Sequence, residues 1–180
     1  NKIFKRLNTF TKNMNQISTF YFLQNILYYI TIIPLIGILI LLFLEEEQKQ
    51  LIKIIALNFS CLPFIGFLFV WGGFNKSVGI FQFVTQILWI PVLNLNITFG
   101  IDGISLFFLL LTTLLIPLCI LISWNSIHYS LKGYLISFLL IEFFLIVVFC
   151  VLDLLMFYIF FESILIPMFL IIVFCGFRVR

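Results

Sequence analysis

Long apolar runs separated by short polar interruptions dominate this chain, and their lengths predict membrane-crossing helices. A span needs about 20 apolar residues, because a bilayer core near ~30 Å is filled at about 1.5 Å per residue. The first run covers residues 21–44 and stops at Glu45, Glu46 and Glu47. The second covers 54–74, just after Lys53. Residues 75–103 read as a long mixed connection with Pro91, several asparagines and an apolar strip around 81–89. The third run, 104–124, ends in a polar break through Asn125, Ser126, His128 and Lys132. From Gly133 to Phe177 the chain is almost continuously apolar, about twice the length of one span. Asp153 is the turning point there, giving a fourth span at 134–151 and a fifth at 154–175, packed as an antiparallel hairpin. The predicted fold is therefore all-α and integral to the membrane, with about five transmembrane helices in one membrane domain over residues 21–180.

Ahead of the first span, Phe4, Leu7, Phe10, Met14 and Ile17 recur every three or four residues, with Lys2, Lys5, Arg6 and Lys12 between them. Residues 1–20 thus form an amphipathic N-terminal segment. It suits the headgroup boundary, another subunit's surface, or a helical tail prefixed to the first span. No cleavage motif for a signal peptide follows it.

Composition narrows the class. The chain has 180 residues, 64% of them hydrophobic and 9% charged, with a mean hydropathy of +1.28. A soluble domain carries roughly a quarter charged residues, so lipid must cover most of this surface. The ten basic residues are scattered along ends and loops, which excludes a nucleic-acid-binding patch. They also divide evenly between the two sides of a five-span topology. Lys2, Lys5, Arg6, Lys12 and Lys76 fall on one, and Lys49, Lys53, Lys132, Arg178 and Arg180 on the other. The positive-inside rule therefore leaves orientation open. Cys61, Cys119, Cys150 and Cys175 lie singly in four apolar stretches and His128 is the only histidine, so no metal, haem or iron–sulfur site is expected. Phenylalanine occurs 25 times and Ala56 is the only alanine, a skew that an AT-rich genome, such as an organelle's, produces. Pro34, Pro63, Pro117 and Pro167 fall one each inside spans one, two, three and five. Such helices are tolerated when neighbours satisfy the freed backbone.

The chemistry rests on few acids. Glu45, Glu46 and Glu47 read as a solvated turn. Asp102, between Gly100-Ile101 and Gly103-Ile104-Ser105, suits a helix N-terminus favoured by the macrodipole, with direct function as the alternative. Asp153 would cap the fifth helix or face a water-filled cleft. Glu142 and Glu162 each lie about ten residues from Asp153, near mid-membrane and at similar depth. A charge at that depth costs at least about 2.5–3.5 kcal/mol. No lysine, arginine or histidine falls inside the predicted spans; Lys53 only borders the second. Each buried carboxyl must then find a cation outside the chain or stay mostly protonated. Such a group either relays protons or bridges helices as a neutral hydrogen-bonding acid. Pro167 also frees the Ser163 carbonyl, one residue after Glu162, as a place for a water to bind.

Two stretches resemble a known family. Gly100-Ile-Asp-Gly-Ile-Ser-Leu-Phe-Phe, followed by Leu111-Thr-Thr-Leu-Leu-Ile-Pro117, resembles the third span of subunit 4 of respiratory complex I. Val151-Leu-Asp-Leu-Leu-Met-Phe-Tyr-Ile-Phe-Phe-Glu162-Ser-Ile-Leu-Ile-Pro167-Met resembles the fifth span of its mitochondrial form. The resemblance covers about residues 81–176 and implies the N-terminal part of an antiporter-like proton-pumping subunit of the mitochondrial inner membrane. It implies that Glu162 takes part in proton translocation, paired with a lysine on a later helix. Glu142, Asp153 and Asp102 carry over as supporting polar positions. NADH, flavin, iron–sulfur clusters and ubiquinone are then expected on other subunits, with membrane-arm subunits and lipid as partners. Family members have about fourteen spans, whereas this sequence stops at Arg180, before the lysine-bearing helices, and Cys175 replaces the usual tryptophan. A second chain supplying the remainder is one expectation; a truncated structural subunit that does not itself pump is another. A subunit of a multisubunit sodium/proton antiporter is the rival transporter reading.

Overall fold

A computed structural model describes residues 25–75, 80–90, 95–125 and 130–176. The amphipathic segment expected over residues 1–20 lies outside them. Five helical stretches in the described residues are long and apolar enough to cross a membrane: Asn25–Phe43, Lys49–Gly73, Gly103–Ile122, Leu131–Cys150 and Leu154–Phe174. The chain is an all-α, multi-pass membrane protein. The helices are α1 (Asn25–Phe43), α2 (Lys49–Gly73), α3 (Gly103–Ile122), α4 (Leu131–Cys150), α5 (Leu154–Ser163) and α6 (Leu165–Gly176).

Each helix buries the face its sequence period provides. Along α2 the buried residues are Ile52, Ala56, Ser60, Pro63, Phe67 and Val70. They form a single stripe at spacings of three and four. The stripe on α3 is Leu106, Leu109, Thr113, Ile116, Pro117 and Ile120. Helix α4 is buried on several faces, because it packs against α2, α3, α5, α6 and β2. It is the central helix. Lipid tails are as apolar as leucine, so close packing rather than hydrophobic transfer must hold such helices together. Glycines permit it: a Cβ on Gly37 would lie 2.7 Å from the Phe59 Cβ, and one on Gly66 2.9 Å from the Ile30 Cδ1. Helices α1 and α2 meet through these positions.

Helix starts at two spans differ from expectation. Helix α2 reaches back to Lys49 and α4 to Leu131, so Lys53 and Lys132 lie inside their first turns rather than outside the spans. Both use long stems to reach polar backbone at one end of the bundle. Lys132 Nζ donates to the Leu42 and Leu44 carbonyls at 2.9 and 2.8 Å, capping the C-terminal end of α1. Lys53 Nζ donates to the Trp124 carbonyl and sits 5.5 Å from that residue's ring centroid. An extended apolar run gave no signal for these helix starts, because a lysine can be carried in the helix and turned out to the boundary.

The connection between spans two and three contains an antiparallel hairpin, β1 (Gln82–Ile90) and β2 (Leu95–Ile101), where the sequence reading placed only a mixed connection. Its register pairs Gln82 with Ile101, Thr85 with Phe99 and Gln86 with Thr98, with an irregularity between Gln82 and Thr85. Phe83 within that irregularity adopts φ 55°, as the extra residue of a bulge can. The alternation is blurred because consecutive apolar residues of β1, Leu88 and Trp89, are both exposed.

Spans four and five form two elements joined at residues 151–153, not one continuous helix, and both α5 and α6 return along α4. The returning span is itself interrupted at Ile164. Pro167 has no N–H to give the Ser163 carbonyl, which weakens the helix there. Hydrogen bonds from Ile164 N to Phe160 O and from Met168 N to Ile164 O flank the break.

Candidate functional site

The hairpin end of the bundle holds both aspartates. Asp102 is the N-cap of α3: Ser105 N donates to its Oδ1 at 2.7 Å, and its own N–H donates to the Ser105 hydroxyl at 2.9 Å. This reciprocal pair satisfies two backbone donors that a helix start otherwise leaves bare. The Ser105 hydroxyl and backbone N–H hold the Asp102 carboxyl below its ordinary range. The carboxylate form is therefore the folding-competent one, and its stabilisation is lost only as acid protonates it. The structure gives Asp102 the helix-terminal role.

Asp153 does something else. Its side chain makes no capping hydrogen bond to α5. Instead its Oδ2 accepts from the Thr98 N–H of β2 at 2.7 Å, while Leu152 N donates to the Thr98 carbonyl at 2.8 Å. Phe99 and Val151 also form an isolated antiparallel bridge. The α4–α5 link thus lies along β2 as a short extra strand, and Asp153 completes its pairing. The cap, one of the two roles the sequence allows, gives way to this clasp because the hairpin presents an unpaired strand edge within reach. Asp153→Ala should free the hairpin from the helical turn, costing about 1.5–3 kcal/mol for a hydrogen bond to a charged group. Faster amide exchange at Thr98, read by hydrogen-exchange mass spectrometry, would show it; unchanged protection would refute the clasp.

The two glutamates occupy opposite environments. Glu142 on α4 is 0% exposed, and neither carboxyl oxygen has a hydrogen-bond partner. It sits eight residues from the end of α4, and Glu162 eight residues into the returning span, so each lies about 12 Å from the turn. Ring contacts of Phe160 with Phe143 and Phe144, at 6.3 and 6.2 Å, fix that level. Yet Glu162 is exposed, on the least buried of the five spans. Its neighbours Tyr158, Phe161, Leu165, Ile166 and Phe169 are exposed with it. The structure puts Glu142 inside the bundle and Glu162 on its outer face, with no hydrogen bond between them.

The comparisons bear on that arrangement. No family model matches the chain. NADH-ubiquinone oxidoreductase chain 4 from Chondrus crispus is 57% identical over 131 residues, covering 73% of this chain and 27% of that protein. The chain 4 proteins of Arabidopsis thaliana and Prototheca wickerhamii are 49% and 44% identical, over 73% and 84% of this chain and 26% and 34% of theirs. Over the matched stretch the chain is similar to part of NADH-ubiquinone oxidoreductase chain 4. It spans about a quarter to a third of the length of these relatives.

These relatives are nearly three times as long as this chain, so they contain much that has no counterpart in it. Sequence reasoning found all four acids but passed over Ser60 and Thr113, both wholly buried on the inward stripes of α2 and α3. The signal was available: a hydroxyl falling on an otherwise apolar helical stripe marks a polar position in the core.

Proposed function

We propose that this chain forms part of chain 4 of a proton-translocating NADH:ubiquinone oxidoreductase in the mitochondrial inner membrane. Its own contribution is Glu162, a protonatable group in a proton path. The observation that carries this reading is a carboxyl on an outward, otherwise apolar helix face, eight residues into a 21-residue span. Facing lipid it would cost at least about 2.5 kcal/mol. Against protein, a cation on a later helix turns that cost into a pairing that a passing proton can open and close. The lysine-bearing helices are supplied by the rest of chain 4, on this or a second polypeptide. The redox chemistry of NADH, flavin, iron–sulfur clusters and ubiquinone resides on other subunits. Glu142, Asp153 and Asp102 support the site by lining or bracing the helices around it.

Assembly is the direct test. Native electrophoresis of mild-detergent membranes, probed with an antibody to this chain, should place it in a high-mass band with NADH dehydrogenase activity. Migration as a stable free monomer would overturn the proposal.

A further inference from the structure

The buried core of the bundle is split in two. One apolar cluster contains Phe67 of α2, Leu109 of α3 and Ile146 of α4; the other contains Ala56, Ile116 and Ile141 of the same three helices. Between them, on each helix in turn, the buried stripe carries a polar side chain: Ser60, Thr113 and Glu142, all 0% exposed. The three helices pack pairwise, so these residues form one polar layer across the core.

The layer is short of donors. Thr113 spends its hydroxyl hydrogen on the Leu109 carbonyl at 2.7 Å, and Ser60 directs its own to the Leu57 carbonyl at 3.4 Å. What remains facing inward is hydroxyl lone pairs and two carboxyl oxygens without partners. A buried acceptor left unsatisfied costs about 1–3 kcal/mol, and more if charged. No lysine, arginine or histidine of α2, α3 or α4 lies at this level to neutralise it; Lys53 and Lys132 are committed at the bundle end. Of the other titratable groups on packed elements, Tyr158 and Glu162 lie on the exposed face of α5. Cys119 of α3 is six residues from Thr113, about 9 Å along the helix. Among the described residues, none donates a hydrogen bond to either carboxyl oxygen.

We propose that Ser60, Thr113 and Glu142 enclose an internal site that binds water together with one exchangeable proton held on the Glu142 carboxyl. One proton makes the acid neutral and lets it donate to a hydroxyl. A water supplies the two further donors that the remaining lone pairs require, and gains the two to four polar partners that a buried water needs. The site is separate from Glu162 and holds whatever the outer face does.

Infrared difference spectroscopy on the assembled complex tests this, using the Glu162→Gln variant so that only other acids contribute. Its protonated-carboxyl stretch should shift in heavy water and disappear when Glu142→Gln is added. Persistence of the band in the double variant would overturn the assignment of the proton to Glu142. A band that fails to shift in heavy water would mean a dry, closed site. Loss of the band on adding sodium at constant pH would make it an alkali-cation site instead. Should the double variant fail to assemble, Ser60→Ala with Thr113→Val in the Glu162→Gln background serves. Losing the hydroxyl acceptors must displace the same band, and an unmoved band would sink the proposal.

Discussion

Glu162→Gln in the assembled complex should lower proton translocation about ten-fold or more, the scale on which removing a positioned proton-transfer group acts. The amount of assembled complex should change little. Glutamine keeps the volume and hydrogen-bonding capacity of the side chain. It cannot gain or release a proton. If Glu162 only bridged helices, the substitution would be nearly silent, because intramembrane hydrogen bonds average about 0.6 kcal/mol. Replacing the partner lysine on the later helices by methionine should give a similar loss. NADH oxidation and proton uptake in reconstituted vesicles, normalised to assembled complex, separate the outcomes. Full pumping by the glutamine variant would leave Glu162 a structural role alone.

The second large effect concerns the α1–α2 contact. Gly37→Ala should destabilise the bundle by about 1–3 kcal/mol, the usual cost of overpacking. Its new Cβ would stand 2.7 Å from the Phe59 Cβ. Both atoms are fixed to their backbones, so no rotamer relieves the clash and the helices must part. Gly66→Ala is the internal control. Its nearest neighbours, Cδ1 and Cγ1 of Ile30 at 2.9 Å, lie beyond that residue's Cβ, so rotation about χ1 can relieve part of the clash. The Gly37 variant should therefore melt earlier and assemble less than the Gly66 variant, by thermal denaturation and native gels. Equal behaviour of the two would show that helix approach at Gly37 is not limiting.

Much of this architecture was legible in one dimension, for physical reasons. Apolar length sets the number of spans, because a bilayer core of fixed thickness demands about 20 residues per crossing. Asp153 marked the turn between α4 and α5 because a carboxylate is carried to the boundary in preference to the core. Asp102, between glycines at the head of an apolar run, announced a helix start, since capping is a local arrangement within one turn. The matching level of Glu142 and Glu162 along their helices followed from helix rise alone. Their different fates did not. Which face of a helix meets protein depends on neighbours distant in sequence, and only packing decided that Glu142 is enclosed by α2 and α3 while Glu162 looks outward. The same holds for Asp153, whose cap-like position was overridden by the Thr98 N–H of a hairpin 55 residues earlier. Lys132, reaching carbonyls 88 and 90 residues away, belongs with it. Sequence fixes what a local run of residues must do in a membrane, and tertiary structure chooses the partner of every group that reaches across helices.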